Sequence, residues 1–319
     1  MGVIKVPNIL IMRPLKDKHL DEIRQSLPDY EVLLEPEEAK LAETEIIVHW
    51  TPDIQELWEA SKLPNLKWVQ AISAGINYLP LEELHQKGII LTNASGIHKY
   101  TITEYVIGAL LYYLRDFGKL KRNQENQRWD VAVQTEQLHE KTLMIFGVGN
   151  IGRQLTVVAK AFGMRVIGVN TSGKKVEEVD ETYSQVESTN HLKEADVVVS
   201  ILPQTPQTIA FFDKERFAKM KPGTLFVNVG RGSSVVIDDL IEALNQDILA
   251  FAALDVFNNE PLEEDSPLWQ HEKIMISPHN SGSVAHFREA LFSVIGPNVA
   301  SYAQNGKPTI NVIDYEKSY

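Results

Sequence analysis

Three side chains in this sequence stand in settings that suggest chemistry. Arg231 lies within Asn228-Val-Gly-Arg231-Gly232, Glu260 within Asp255-Val-Phe-Asn-Asn-Glu260-Pro261, and His279 within Ser277-Pro-His279-Asn-Ser-Gly282. Together they offer a fixed cation, a carboxylate and an imidazole. Arginine can grip a substrate carboxylate in bidentate geometry and polarise an adjacent carbonyl. Histidine can give or take a proton near neutral pH, and a carboxylate on its other ring nitrogen keeps it charged.

Upstream of all three, the apolar run Thr142-Leu-Met-Ile-Phe146 leads into Gly147-Val-Gly149-Asn150-Ile151-Gly152, and a helix-forming stretch follows. Strand, glycine loop and helix in that order suit a dinucleotide pyrophosphate. The first glycine permits a tight turn, the second lets backbone approach the phosphates, and the third lets the helix pack on the strand. Combined with the cation, carboxylate and imidazole, this loop suits hydride transfer between a nicotinamide cofactor and a 2-keto acid. The next strand, Arg165–Asn170, ends without the acid that would accept from a ribose 2′-hydroxyl. Asn170, Thr171 and Ser172 followed by Lys174 and Lys175 suit a 2′-phosphate better than a bare diol, so NADP is favoured over NAD.

The elements that would position these groups alternate along nearly the whole chain. Strands are expected at Ile9–Met12, Glu45–His49, Leu66–Ile72 and Ile89–Thr92, then at Leu143–Phe146, Arg165–Asn170, Val197–Ile201, Thr224–Val229, Ala250–Leu254 and Ile274–Ser277. The stretch from Tyr100 to about Trp129 reads as one long helix, and that from Ala285 to Asn305 as another. Pro308–Ile313 is expected to return as a strand. This is an α/β pattern of two Rossmann-like or flavodoxin-like lobes with parallel sheets and a catalytic cleft between them. The expected divisions are a substrate domain over 1–98, a dinucleotide-binding domain over 99–285, and a C-terminal helix over 286–319 returning to the first. Arg231 and His279 both follow strands, at the carboxyl edge where open α/β sheets bind ligands.

With 319 residues, 44% hydrophobic and 23% charged, the chain is long enough for two cores. A net charge of −12 argues against nucleic acid or anionic lipid as the main partner. There are no cysteines, which excludes disulfides and cysteine metal sites, and no metal site is expected. The N-terminus lacks signal-peptide architecture and no apolar run is long enough to cross a bilayer, so a cytoplasmic location without membrane contact is expected.

The glycine loop, the Asn-x-x-Arg-Gly segment, the Asp255…Glu260-Pro261 segment and Ser277-Pro-His279-x-Ser-Gly282 together resemble the D-isomer-specific 2-hydroxyacid dehydrogenases over nearly the whole chain. That resemblance implies an NAD(P)-dependent enzyme with Arg231 anchoring substrate, Glu260 orienting His279, and His279 as acid/base. It also implies that Asp255 sits near the nicotinamide carboxamide and that Val229, Gly230, Asn150 and Ile151 line the cofactor. Ser73-Ala74-Gly75-Ile76 resembles the loop whose amides, at Ala74, Gly75 and Ile76, hold the substrate carboxylate. Asn93-Ala-Ser-Gly96-Ile97…Thr103-Glu104 resembles the crossover into the cofactor lobe. A homodimer is implied, with the Thr101–Trp129 helix and its following arm as the contact.

Several activities share this fold. A formate dehydrogenase places an amide where Glu260 stands. A phosphoglycerate dehydrogenase label is compatible, although the chain ends soon after His279 without room for a regulatory domain. Glyoxylate, hydroxypyruvate or a similar small keto acid fits equally well. In a different class stands a non-catalytic, dinucleotide-sensing corepressor, which can keep the same three residues; no basic patch or extended disordered tail accompanies them here.

Overall fold

In the computed structural model, which describes residues 5–315, the chain divides into two compact units. One takes the residues up to Ile97 and those from Val284 onward, and the other is His98–Ser283. Each is built on an all-parallel sheet whose inner strands are buried on both faces, which is why their sequences read as continuous apolar runs.

The first unit has a five-stranded sheet in the order β2-β1-β3-β4-β5, from Asn8–Ile11 (β1), Glu31–Leu33 (β2), Thr44–Val48 (β3), Trp68–Gln70 (β4) and Ile90–Thr92 (β5). This is the flavodoxin-like order. Alternate residues feed two cores. Leu10, Ile47, Val69 and Leu91 face one side, with Ile54 and Trp58 of α2 (Pro52–Glu59) and Leu84 of α3 (Leu81–Gln86). Ile9, Ile11, Ile46, Val48 and Trp68 face the other, where Leu20 and Ile23 of α1 (Asp17–Ser26) and Leu291 and Ile295 of the C-terminal helix Phe287–Asn305 pack on them.

The second unit has seven parallel strands: Thr142–Phe146 (β6), Arg165–Asn170 (β7), Glu181–Ser184 (β8), Val197–Ser200 (β9), Thr224–Asn228 (β10), Leu249–Leu254 (β11) and Ile274–Ile276 (β12). Their order is β12-β11-β10-β9-β6-β7-β8. From β6 the chain winds outward through β7 and β8, then returns to lay β9 on the other flank of β6. The switch point therefore falls between β6 and β9, where doubly wound sheets bind ligands. Leu143, Ile145, Val197 and Val199 face one core, against Ile102, Val106 and Leu110 of α4 (Lys99–Leu114) and Leu155 and Ala159 of α6 (Asn150–Ala161). Met144, Phe146, Val198 and Phe226 face the other, against Leu240 and Leu244 of the helix Ile237–Asn245.

Three expectations need correction. The stretch from Tyr100 to Trp129 is not one helix. It breaks at Arg115–Asp116, where Asp116 adopts φ 49°, and a second helix, α5, runs over Phe117–Glu125. The Asp116 carboxylate accepts from the Lys119 amide at 3.3 Å, so it caps a new helix instead of extending the old one. Pro308–Ile313 forms no strand; it makes a single antiparallel bridge, Thr92 to Val312. Two backbone bonds flank that bridge, from the Ile313 amide to the Leu91 carbonyl at 2.9 Å and from the Asn93 amide to the Asn311 carbonyl at 3.2 Å, and Asn298 Oδ1 accepts from the amides of Thr309 and Ile310. Lastly, β2 and β8 were not expected. Both are edge strands, and neither carries the apolar run of a fully covered one.

Candidate active site

The glycine loop joins β6 to α6 at the switch point. Gly147 takes φ +103°, and a Cβ there would come within 2.9 Å of the Ile201 carbonyl, at the end of β9. At Gly152 a Cβ would lie 2.4 Å from the Gly147 carbonyl, so the first turn of α6 closes onto the loop only because both residues are glycine. At Gly149 a Cβ would meet nothing within 4 Å. Gly149 also starts α6 without a side-chain cap. First-turn helix amides beside open space form an anion site, and these residues fit a dinucleotide pyrophosphate. Asn150 and Ile151 are the first two residues of α6. Val229 and Gly230 follow β10, with the Val229 amide bonded to the Ser200 carbonyl at 3.0 Å.

The loop after β7 behaves differently from its composition. Asn170 does not present its amide outward. Its Nδ2 donates to the Lys174 carbonyl at 2.7 Å, and its Oδ1 accepts from the amides of Ser172 and Gly173 at 3.1 and 2.7 Å. It shapes the loop and leaves the exposed Thr171, Ser172 and Lys174 as the groups that can face a ligand. Lys175 is paired with Glu177 at 3.1 Å, whereas the Lys174 ammonium has no ion-pair partner among the described residues.

Arg231, Glu260 and His279 converge in the second unit. Arg231 follows β10 and its loop is pressed against the backbone of Phe257 and Asn258. A Cβ at Gly232 would overlap the Phe257 carbonyl carbon at 2.0 Å, so only glycine permits the approach. The Arg231 guanidinium is largely buried, with one hydrogen bond among the described residues, Nη1 to the Gly230 carbonyl at 2.8 Å. Burial lowers its pKa, and the Glu260 charge offsets part of that; it stays a cation.

Both Glu260 oxygens are in use. Oε1 accepts from the Phe257 amide at 2.9 Å and Oε2 from His279 Nδ1 at 2.8 Å. Burial raises the Glu260 pKa, but the His279 hydrogen bond, the Phe257 amide and the charges of His279 and Arg231 outweigh it and hold the carboxyl below its ordinary 4.5. An ionised carboxylate only accepts, so Nδ1 carries the hydrogen and Nε2 is the ring nitrogen left for a ligand. Half of the His279 side chain is exposed.

His279 holds φ 50°, a left-handed conformation that costs a non-glycine residue about 1–2 kcal/mol. Asp255 is what sustains it. The carbonyl of Asp255 accepts from the His279 amide at 2.9 Å. Its carboxylate accepts from Ser277 Oγ at 2.5 Å, from the amides of Asn280 and Ser281 at 2.9 and 3.1 Å, and from Ser281 Oγ. With only 1% of its surface exposed, Asp255 organises the histidine loop. This hub was not legible beforehand; its signal was the pair of serines at 277 and 281 flanking the histidine.

In the first unit, the loop after β4 turns its carbonyls inward. Ser73 O accepts from the Ala94 amide at 3.0 Å, Ala74 O from Asn93 Nδ2 at 2.8 Å and Gly75 O from Ser73 Oγ at 2.8 Å. The amides of Ala74, Gly75 and Ile76 have no acceptor among the described residues.

Comparison with known proteins places these geometries in context. Residues 107–281 match the family described as D-isomer specific 2-hydroxyacid dehydrogenase, NAD binding domain. A hydroxypyruvate reductase of Blautia hydrogenotrophica is 29% identical over 301 residues, covering 91% of this chain and 90% of its own. The crystal structure of a D-isomer specific 2-hydroxyacid dehydrogenase family protein from Aeromonas salmonicida is 32% identical, with a TM-score of 0.82 over 97% of this chain and 99% of its own. An NADPH-dependent glyoxylate/hydroxypyruvate reductase of Sinorhizobium meliloti, solved with NADP and sulfate, is 26% identical, with a TM-score of 0.79 over 98% of this chain and all of its own.

Proposed function

Because the chain belongs to the D-isomer specific 2-hydroxyacid dehydrogenase family of NAD(P)-dependent oxidoreductases, we propose that it reduces a small 2-keto acid of the glyoxylate or hydroxypyruvate kind to the D-2-hydroxy acid, with NADPH. The observation that carries this is the Glu260 carboxylate, locked on one side by the Phe257 amide and on the other by His279 Nδ1, beside the Arg231 cation.

When bound, the reduced nicotinamide supplies the hydride. Arg231 binds the substrate carboxylate and draws electron density from the keto oxygen. His279 delivers the proton from Nε2 to that oxygen, and Glu260 stabilises the imidazolium and fixes its ring. The amides of Ala74, Gly75 and Ile76, which have no acceptor among the described residues, are assigned to the substrate carboxylate. Gly147, Gly149, Asn150, Ile151, Gly152, Val229 and Gly230 would hold the dinucleotide. Thr171, Ser172 and Lys174 would take the 2′-phosphate, in a loop shaped by Asn170. Support for NADPH comes from the missing acid after β7, the unpaired Lys174 and the NADP bound by the Sinorhizobium relative.

A homodimer belongs to the same proposal. Along α4, α5 and the segment after them, Tyr112, Phe117, Leu120, Trp129 and Val131 are exposed, Trp129 at 93%. Exposed apolar side chains of that number suit burial against a second copy.

The test is NADPH oxidation with a panel of 2-keto acids, repeated with NADH. Turnover of glyoxylate or hydroxypyruvate, faster with NADPH, is expected. NADPH binding without turnover across the panel would favour the corepressor-like reading, and a preference for NADH would overturn the phosphate assignment.

A further inference from the structure

The loop that carries His279 is gripped at both ends by one helix. At its start, Ser277 Oγ lies 2.7 Å from Tyr105 Oη and 2.5 Å from Asp255 Oδ1. The carboxylate can only accept, so the single serine proton goes to Asp255 and the tyrosine proton comes to the serine. At its end, the Gly282 carbonyl accepts from His98 Nδ1 at 2.7 Å. His98 is the residue before α4, in register with it through the Ile102 amide to His98 carbonyl bond at 3.0 Å. Tyr105 is seven positions on, two turns later and on the same side of the helix. Their contacts are five residues apart on the loop, with His279 between them.

We propose that Tyr105 and His98 are positioning residues for His279: the first turns of α4 clamp the two ends of its loop, and Asp255 holds the middle. The inference rests on His279 being the proton carrier. Neither Tyr105 nor His98 is given a task in the reaction, yet their contacts bracket a residue in a left-handed conformation with half its side chain in solvent. An imidazole displaced by about 1 Å from its reacting partner loses roughly a hundredfold in rate, so partial loosening has a measurable cost. His98 Nδ1 and an asparagine Nδ2 are both bonded to Cγ, so His98→Asn keeps a donor at nearly the same place, whereas His98→Leu removes it.

Tyr105→Phe and His98→Leu are expected to lower kcat about tenfold, to change KM for the keto acid less than twofold, and to leave NADPH affinity unchanged. His98→Asn should recover most of the loss. Hydrogen exchange gives a readout independent of turnover. The amides of Asn280 and Ser281, bonded to Asp255, should exchange faster in Tyr105→Phe and His98→Leu, while residues 147–152 exchange as in the wild type. Unchanged exchange at Asn280 and Ser281 overturns the clamp, whatever the activity. Faster exchange with wild-type kcat, in an enzyme inactivated by His279→Gln, overturns the positioning role while leaving the proton assignment intact. Full activity in His279→Gln overturns that assignment and the inference with it. Should His98→Leu fail to fold, Tyr105→Phe, which removes one oxygen atom, decides the outcome.

Discussion

The loops after β6 and β12 both leave the carboxyl edge of the same sheet, but they are held by opposite means. The glycine loop is shaped by the absence of side chains: Gly147 and Gly152 sit where any Cβ would strike a carbonyl, and Gly149 faces open space. The histidine loop is shaped by side chains drawn from four places in the sequence, namely Tyr105, Asp255, Glu260 and the serines at 277 and 281. A site for a fixed phosphate needs only backbone and room. A group that must carry a proton needs its ring oriented to a fraction of an ångström, and hydrogen bonds supply that.

The contrast breaks if the glycine loop proves tolerant. Gly152→Ala should lose about a hundredfold in NADPH affinity and also melt at a lower temperature, because its Cβ would lie 2.4 Å from the Gly147 carbonyl. Gly149→Ala should melt near the wild-type temperature, since nothing lies within 4 Å, while still losing cofactor affinity. Dye-binding titration and thermal melts would separate the two effects. Equal melting temperatures in both variants would contradict a loop shaped by close approach.

On the histidine side, Glu260→Gln should lower kcat roughly tenfold to a hundredfold with cofactor affinity unchanged. The sign of its pH dependence follows from Glu260 lying below its ordinary 4.5. The carboxylate is charged at and above that value, and its hold on His279 fades only as pH falls through the lower folded value. Across neutral pH the wild type therefore keeps the anion beside the ring. In Glu260→Gln that anion is gone at every pH, so its kcat deficit against wild type should be full at neutral pH and shrink only as acid protonates Glu260 in the wild type. A deficit of the same size on both sides of that titration would mean that the two side chains are not coupled. The smallest effect is expected at Lys174, an exposed cation. Lys174→Ala should raise KM for NADPH about fivefold and leave KM for NADH unchanged, because exposed charges contribute about 1 kcal/mol or less.

The same contrast explains what could be read from the sequence. Covered strands such as Val197–Ser200 and Arg165–Asn170 announce themselves by continuous apolar residues, and the glycine loop by spacing along one stretch of chain. The edge strands β2 and β8 escaped because an edge is half covered and tolerates Glu31, Glu181 and Thr182. Asp116 was invisible as a helix break, since aspartate in a helical run shows its capping role only once the backbone turns. Arg231, Glu260 and His279 could be singled out as candidates from their local segments, and the Glu260–His279 hydrogen bond follows that expectation. The Tyr105–Ser277–Asp255 chain was not legible, because its members are separated by 172 and 22 positions and meet only after the sheet has formed.

The central claim is that His279, held through Nδ1 by Glu260, passes the proton that accompanies hydride transfer. Turnover of glyoxylate and hydroxypyruvate with NADPH by wild type and His279→Gln, alongside NADPH binding by each, tests it most directly. The expected result is a loss in kcat of about a thousandfold with cofactor affinity retained. Near-normal turnover by His279→Gln would contradict it.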